Sequence, residues 1–163
     1  MHVANIKKEE YLNSVMEKYS NMVYRLALAR TRKKEDAEDV FQEVFLRISK
    51  KIPEFENENH EKAWFIRVTI NVTKNLLSSG WFRNIVALDQ EIKFEDEKEN
   101  TIYYEVLNLS SKYRTVIHLF YYEKLSIKEI SELLNTNENT IKTRLARAKE
   151  TLKSKLEGGF DNG

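Results

Sequence analysis

Apolar residues recur every three or four positions along most of the chain, a spacing that predicts amphipathic helices. Two such stripes lie near the start: Tyr11, Val15, Tyr19, Met22, Val23, Leu26 and Ala29 form one, and Val40, Phe41, Val44, Phe45, Ile48 and Ile52 form the other. We expect the second helix to begin at Asp36 and to end before Pro53, because proline disfavours the helical conformation in the residue before it. After a polar loop, a third stripe predicts a helix from Ala63 to Leu77.

Few residues that favour turns interrupt these stripes. The 163 residues include four glycines and one proline, whereas a protein built from strands needs clusters of such residues at its many turns. The sequence therefore predicts an all-α fold. Helical patterns occupy residues 7–79 and 104–157, and the intervening residues 80–103 are weakly patterned and acidic. We expect two small helical domains joined by a flexible linker, whose acidic residues either keep it solvated or shield basic surfaces when no partner is bound.

The charge balance limits the ways in which the chain could bind nucleic acid. Lys and Arg total 27 and Asp and Glu total 26, for a net charge of +1, so any such site must be a local basic patch. There is no cysteine, which excludes disulfides and thiolate metal sites. The first residues, MHVANIKKEEY, have no apolar segment of the kind found in a signal peptide, so we expect none. No apolar run approaches the roughly 18 residues that a membrane span needs. We therefore expect a soluble protein, and a cytoplasmic location fits.

The clearest local signals lie near the C-terminus. Ser126 and Glu129 have the spacing of a capping box, in which each side chain accepts a hydrogen bond from the backbone amide of the other residue. After the short helix that follows, Asn135 is suited to a left-handed turn residue and Asn137 to the cap of another helix. A short helix, a tight turn and a second helix together predict a helix-turn-helix motif.

The second helix of that motif has an apolar face and a basic, polar face. Ile141, Leu145, Ala148 and Leu152 fall on the face that must pack inward. Between Glu138 and Glu150 there is no acidic residue, although a merely solvated face would tolerate several. We therefore predict that this helix enters a DNA groove, where polar and basic side chains contact bases and phosphates. The candidate contacts are Asn139, Thr140, Lys142, Thr143, Arg144 and Arg147.

These residues resemble a known family. The segment NENTIKTRLARAKETL after SIKEISELL resembles the region 4 helix-turn-helix of bacterial extracytoplasmic-function (ECF) sigma factors. Upstream, DAEDVFQEVFL at residues 36–46 resembles the region 2 helix of the same family. The segment AWFIR at residues 63–67, followed by Asn71 and Lys74, resembles its promoter-melting helix. Two motifs in this order, separated by an acidic linker, cover nearly the whole chain.

The resemblance implies an alternative sigma factor that directs core RNA polymerase to specific promoters and aids their melting. Region 2, over residues 7–79, would bind the polymerase clamp and the −10 element, and region 4, over residues 104–157, would bind the polymerase flap and the −35 element. The implied polymerase contacts are Asp39, Gln42 and Glu43; the implied −10 contacts are Asn57, Lys62, Arg67, Asn71 and Lys74; and the implied −35 contacts are the six candidates on the second helix of the motif. The family also implies promoter DNA and an anti-sigma factor, often membrane-anchored, as partners.

The loop FENENHEK, at residues 55–62, departs from what a DNA-binding surface needs. In the resembling family this loop receives one unpaired base of the non-template strand, yet here it carries Glu56, Glu58 and Glu61. We expect this acidity to disfavour DNA. Trp64, next to the loop, lies on the apolar stripe, and we expect it to belong mainly to the core.

Two other functions compete with the sigma factor hypothesis. The chain could be a helix-turn-helix regulator that binds an operator without polymerase, using its N-terminal helices for dimerisation. An enzyme is disfavoured, because His2, His60 and His118 lie far apart in the sequence and there is no glycine-rich phosphate loop or known catalytic spacing. We accordingly expect no catalytic site, no metal, no cofactor and no small-molecule substrate.

Overall fold

The computed structural model describes residues 2–78 and 105–161. Every regular element in these two ranges is helical, which confirms the predicted all-α fold. Contacts between residues divide the chain into two compact units, Met1–Ala87 and Leu88–Gly163. The linker predicted at residues 80–103 lies outside the described residues, so its flexibility and the exact domain boundaries stay predictions.

The first unit is built on three helices, α1 (His2–Thr31), α2 (Lys34–Lys50) and α3 (Glu58–Ser78), each of which packs against the other two. Their apolar stripes meet in a closed core, as the helical spacing of the apolar residues requires. Fully or almost fully buried members of this core include Val23, Leu26, Val44, Ile48, Phe65, Ile66 and Ile70.

Two predicted helix starts were wrong. Helix α2 begins at Lys34 rather than Asp36 and has no side-chain cap. Asp36, the residue expected to start the helix, lies within its first turn. Helix α3 begins at Glu58 rather than Ala63. Its first turn is stabilised by Asn57, whose side-chain Oδ1 accepts a hydrogen bond of 2.9 Å from the backbone amide of His60.

The second unit contains α4 (Ser111–Ile117), a π-helical turn at His118–Tyr122, α5 (Ile127–Leu134) and α6 (Glu138–Asp161). Helix α6 packs on both α4 and α5. The buried side chains at these contacts include Val116, Ile117, Leu119, Ile130, Ile141, Leu145 and Ala148. Helix α6 is therefore held along one side, while its other side is exposed.

The connection from α5 to α6 has the predicted local chemistry. The backbone amide of Glu129 donates to the Ser126 Oγ and the Ser126 amide donates to the Glu129 Oε1, both at 3.1 Å, which confirms the capping box. Asn135 adopts the left-handed conformation, with φ 49° and ψ 49°. Asn137 caps α6, because its Oδ1 accepts a hydrogen bond of 2.7 Å from the amide of Asn139. A helix-turn-helix connection results.

Candidate nucleic-acid interface

The packing of α6 determines which of its side chains can reach a partner. Ile141, Leu145 and Ala148 are buried, so the opposite side of the helix faces away from the core of the second unit. Among the predicted −35 residues, Asn139, Thr140, Lys142, Thr143 and Arg147 are exposed and Arg144 is half-buried. All six therefore remain accessible, and Arg144 lies at the edge of the packed face, as its position on the helix predicts.

The polar groups of this face differ in what they can offer to DNA. The hydroxyl of Thr143 donates a hydrogen bond of 2.9 Å to the backbone carbonyl of Asn139. Its oxygen can still accept, but while this bond persists the hydroxyl cannot donate to a phosphate. Lys142 and Arg147 form no ion pair within the described part of the chain. Their charges are therefore available for phosphates or for base edges.

Lys149, in the middle of α6, lies close to two aromatic side chains of the π-helical turn. Its Nζ lies 5.8 Å from the ring centroid of Phe120 and 5.4 Å from that of Tyr121, within the range of cation–π attraction. The exposed Tyr121 thereby gains a basic neighbour. Helical periodicity could not predict this contact, because the π-helical turn changes the spacing of side chains just before the motif.

The predicted −10 residues fall into two groups. Arg67, Asn71 and Lys74 are exposed and follow one another at spacings of four and three residues, so they lie on one face of α3. Lys62 is half-buried and lies about 140° around the helix from Arg67. Asn57 is exposed and caps the helix. The structure thus brings three of these five residues together and places the other two at the start of α3.

Part of the acidity of the loop before α3 is paired with side chains of α1. Glu61 accepts hydrogen bonds from the hydroxyls of Tyr11 and Tyr19, at 3.0 and 2.8 Å, and its side chain is only 14% exposed. Lys18 forms an ion pair with Glu58, and its Nζ lies 3.6 Å from Glu61. Two of the three loop carboxylates, Glu58 and Glu61, are therefore paired with α1, although the Glu58 side chain is still 69% exposed. The expectation that this acidity disfavours DNA stays a prediction.

Aromatic side chains connect this loop to the core. Trp64 contacts Phe55 and Phe65 edge to face, with ring centroids 6.2 and 4.9 Å apart. Phe65 in turn stacks on Tyr19 at 4.6 Å. Trp64 is half-buried, and its contact with the buried Phe65 agrees with the expectation that it belongs mainly to the core. It anchors the loop through Phe55.

The residues predicted to contact polymerase lie on the outer side of α2. Asp39 and Gln42 are exposed, and Glu43 is half-buried and bonded to the Nε of Arg47 at 2.9 Å. Leu46 lies on the same side of the helix and is 48% exposed, a large apolar side chain that is not among the predicted polymerase contacts. The spacing of Leu46 from Asp39, seven residues along a helix, is the signal that could have identified it.

Comparisons with known proteins match both units to one family. Residues 15–83 match sigma-70 region 2, and residues 100–152 match sigma-70 region 4. The chain is 29% identical over 176 residues to the ECF RNA polymerase sigma factor SigW of Bacillus subtilis, covering 94% of each protein. It is 31% identical over 140 residues to RNA polymerase sigma factor SigV of the same organism, covering 82% of this chain and 83% of SigV.

Solved structures share the fold. The sigma factor RpoE of Bartonella quintana, solved with the anti-sigma factor NepR, superposes with a TM-score of 0.73 at 19% identity, covering 89% of this chain and 96% of RpoE. CnrH, solved with the cytosolic domain of CnrY, gives a TM-score of 0.61 at 18% identity over 92% of this chain and 90% of CnrH. Within residues 2–78 and 105–161, none of the helices is long and apolar enough to cross a bilayer.

Proposed function

The chain belongs to the sigma-70 family of RNA polymerase sigma factors, in its ECF group, and we propose that it binds promoter DNA through two separate surfaces, on α6 and on α3. Members of the family direct core RNA polymerase to specific promoters and aid their melting. The observation that carries the proposal is the exposed side of α6, which holds basic and polar side chains and no acid between Glu138 and Glu150.

The −35 element is the ligand of α6 in this proposal. The N-terminal turns of a recognition helix enter the major groove, where bidentate side chains distinguish bases and other basic side chains bind phosphates. We assign Arg147 and Lys142 to charged contacts, because both are exposed and form no ion pair in the described ranges. Arg144, at the edge of the packed face, reaches the flanking backbone. Asn139, Thr140 and Thr143 form the polar centre of the surface.

The −10 element is the ligand of α3. Arg67, Asn71 and Lys74 line one exposed face and would follow the backbone of the unpaired strand, as basic and polar tracks do in proteins that bind single strands. Asn57 and Lys62, at the start of the helix, would contact the base that leaves the duplex. Opening a duplex without ATP requires such contacts to the unpaired strand.

The outer side of α2 is the proposed polymerase surface. Asp39 supplies negative charge, Glu43 a carboxylate paired with Arg47, Gln42 a polar amide and Leu46 an exposed apolar group. Charge complementarity of this kind steers association and fixes its register. We assign residues 7–79 to this role and to −10 binding, residues 104–157 to −35 binding, and residues 80–103 to the linker between them.

The remaining assignments follow from the family. We propose that the chain acts in the cytoplasm together with the polymerase, that the polymerase performs all catalysis, and that the chain itself has no catalytic site, metal or cofactor. RpoE of Bartonella quintana was solved with an anti-sigma factor, and we propose that a protein of that class, often membrane-anchored, restrains this chain as well.

Run-off transcription from a library of random promoter sequences tests the proposal. Purified chain and core polymerase should together yield transcripts whose templates share two sequence elements, and core polymerase alone should not. If the complete library yields no transcripts that depend on the chain, the proposal is wrong. If instead the chain alone protects a palindromic DNA site and does not associate with the polymerase, the stand-alone regulator hypothesis takes its place.

A further inference from the structure

Glu61 is held by three side chains from a different helix. Tyr11 and Tyr19 donate hydrogen bonds to its two carboxylate oxygens, Oε2 and Oε1, at 3.0 and 2.8 Å. The ammonium of Lys18 lies 3.6 Å from Glu61 and also pairs with Glu58. We call Tyr11, Lys18, Tyr19 and Glu61 the Glu61 cluster. It joins the first turn of α3 to the middle of α1, across 42 to 50 residues of sequence.

Both tyrosine hydroxyls stay protonated and can therefore remain hydrogen-bond donors to Glu61. Tyr19 is 4% exposed and Tyr11 is half-buried. Burial, followed by the bond to Glu61, raises the pKa of Tyr19 to about 12, and the same causes raise the pKa of Tyr11. The two hydroxyls therefore keep their protons throughout the neutral range. Two hydrogen bonds from different residues fix the carboxylate of Glu61 more firmly than one could.

The cluster also fixes the loop that precedes α3. The ring of Tyr19 stacks on Phe65, which contacts Trp64, and Trp64 contacts Phe55 in the loop. Tyr19 therefore determines the position of the loop in two ways, through its hydroxyl to Glu61 and through its ring to Phe55. The loop and the first turn of α3 carry Asn57 and Lys62, the residues assigned to the extruded base.

We propose that Tyr11, Lys18 and Tyr19 are positioning residues for promoter melting: they hold the loop at residues 51–57 in the shape that receives the unpaired base. The two tyrosine hydroxyls fix the Glu61 carboxylate, and Lys18 supplies a positive charge beside it. The inference rests on the assignment of the −10 element to α3. It explains how the loop and the first turn of α3, with glutamates at positions 56, 58 and 61, can border a polyanion. Like charges close together repel, and the ammonium of Lys18 offsets part of that repulsion. The hydrogen bonds from Tyr11 and Tyr19 leave the Glu61 carboxylate charged but hold it in a fixed position.

The test compares binding of one DNA strand by holoenzymes that differ only in this cluster. The probe is a fluorescent single-stranded oligonucleotide with the non-template −10 sequence of the strongest promoter from the transcription library. The variants are Tyr11→Phe, Tyr19→Phe, the double variant, and the double variant with Glu61→Gln. Tyr24→Phe is the matched control, because Tyr24 lies on the same helix and faces Glu35 and Glu38 instead of Glu61.

We expect the double variant to bind the strand about fivefold more weakly than the wild type, the equivalent of one hydrogen bond, and the control to bind like the wild type. Adding Glu61→Gln should restore at least half of that loss, because the amide carries no charge to repel the DNA strand. Affinity for core polymerase and for duplex −35 DNA should not change in any of these variants.

Two results would overturn the inference. In one, the double variant binds the strand as tightly as the wild type. In the other, strand binding, polymerase binding and melting temperature all fall together and Glu61→Gln restores none of them, which would mean that the cluster only stabilises the fold.

If the double variant does not fold, the two single variants provide the same comparison. If wild-type holoenzyme does not bind the strand at all, the assignment of α3 is wrong, and this outcome is distinct from the other two.

Discussion

Arg147 is the exposed basic residue through which −35 recognition can be tested most directly. We expect Arg147→Ala to weaken specific binding to the −35 element by ~1–3 kcal/mol if the guanidinium contacts a base, and by less if it contacts only phosphate. Lys155→Ala is the matched control, because it removes an exposed basic residue further along the same helix. Fluorescence anisotropy with duplexes changed at single bases distinguishes these cases, since only a base contact makes the loss depend on the sequence.

Asp36 provides a test of pH dependence. It is 7% exposed, its Oδ2 has no hydrogen-bond partner within residues 2–78 and 105–161, and burial raises its pKa. A raised pKa means that the folded state favours the protonated acid, so the ionised carboxylate destabilises the fold at neutral pH. This penalty should disappear as the pH falls below the unfolded pKa of about 4.

The corresponding variant is Asp36→Asn. We expect it to raise the melting temperature at pH 7, and we expect the difference from the wild type to shrink towards zero near pH 4. Thermal unfolding followed by circular dichroism measures both values. The exposed Asp39→Asn should change the melting temperature little at either pH. An Asp36→Asn variant that is less stable than the wild type at pH 7 would show that the carboxylate stabilises the fold instead.

The residues that could be predicted from sequence are those whose contacts are local. Ser126 and Glu129 bond each other across three residues, and Asn137 bonds the amide two residues on, so their types and spacing were sufficient. Glu61 bonds partners 42 and 50 residues away. Its identity as a glutamate in a polar loop indicated an exposed acid, and only the packing of α1 on α3 reveals that it is paired.

At the scale of elements, the turn between α5 and α6 depends on one backbone conformation. Asn135 has φ 49°, where a residue with a Cβ is strained by roughly 1–2 kcal/mol unless its side chain compensates. We expect Asn135→Ala to lower the free energy of unfolding by ~1 kcal/mol, and Asn135→Gly to cause no loss, because glycine adopts this conformation freely. Chemical denaturation measures both. Equal stability of the two variants would contradict the argument.

Helix boundaries and irregular turns were the elements that the sequence did not predict. The start of α3 lacks an apolar stripe, so residues 58–62 looked like a loop, yet the cap from Asn57 and the hydrogen bonds to Glu61 hold them in the helix. The π-helical turn at His118–Tyr122 has no signal in the apolar spacing. It brings the buried His118 within 3.2 Å of the buried Glu123, a contact that depends on the irregular geometry.

For the whole molecule, the net charge is only +1, which limits how strongly the chain alone can attract DNA. The chain has no overall field to capture DNA, so under the proposed function its DNA contacts are confined to the basic face of α6 and the Arg67 face of α3. A few phosphate contacts release few counterions and therefore give only weak binding at physiological salt. We therefore attribute stable promoter binding to the polymerase, which holds both units on the same DNA, and not to the chain alone.

Reversing the charge of Asp39 tests the proposal that the first unit binds the polymerase and the second unit binds the −35 element. Asp39 is exposed on the outer side of α2, and we expect Asp39→Lys to weaken association with core polymerase by at least about tenfold, ~1.4 kcal/mol. Duplex −35 binding should be unchanged, because α6 belongs to the other unit. Glu17→Lys on α1 is the matched control, an exposed acid outside the proposed polymerase surface.

The reciprocal variant completes this test. Arg147→Ala should leave polymerase association unchanged while weakening −35 binding, and each variant should reduce transcription from a promoter that requires both elements. Polymerase association is measured by anisotropy of labelled chain, and transcription by run-off synthesis. A chain that binds DNA without polymerase predicts a different pattern: Asp39→Lys would leave its operator binding and its regulation intact. Loss of transcription in Asp39→Lys with normal DNA binding therefore agrees with the sigma factor assignment and contradicts a regulator that acts without polymerase.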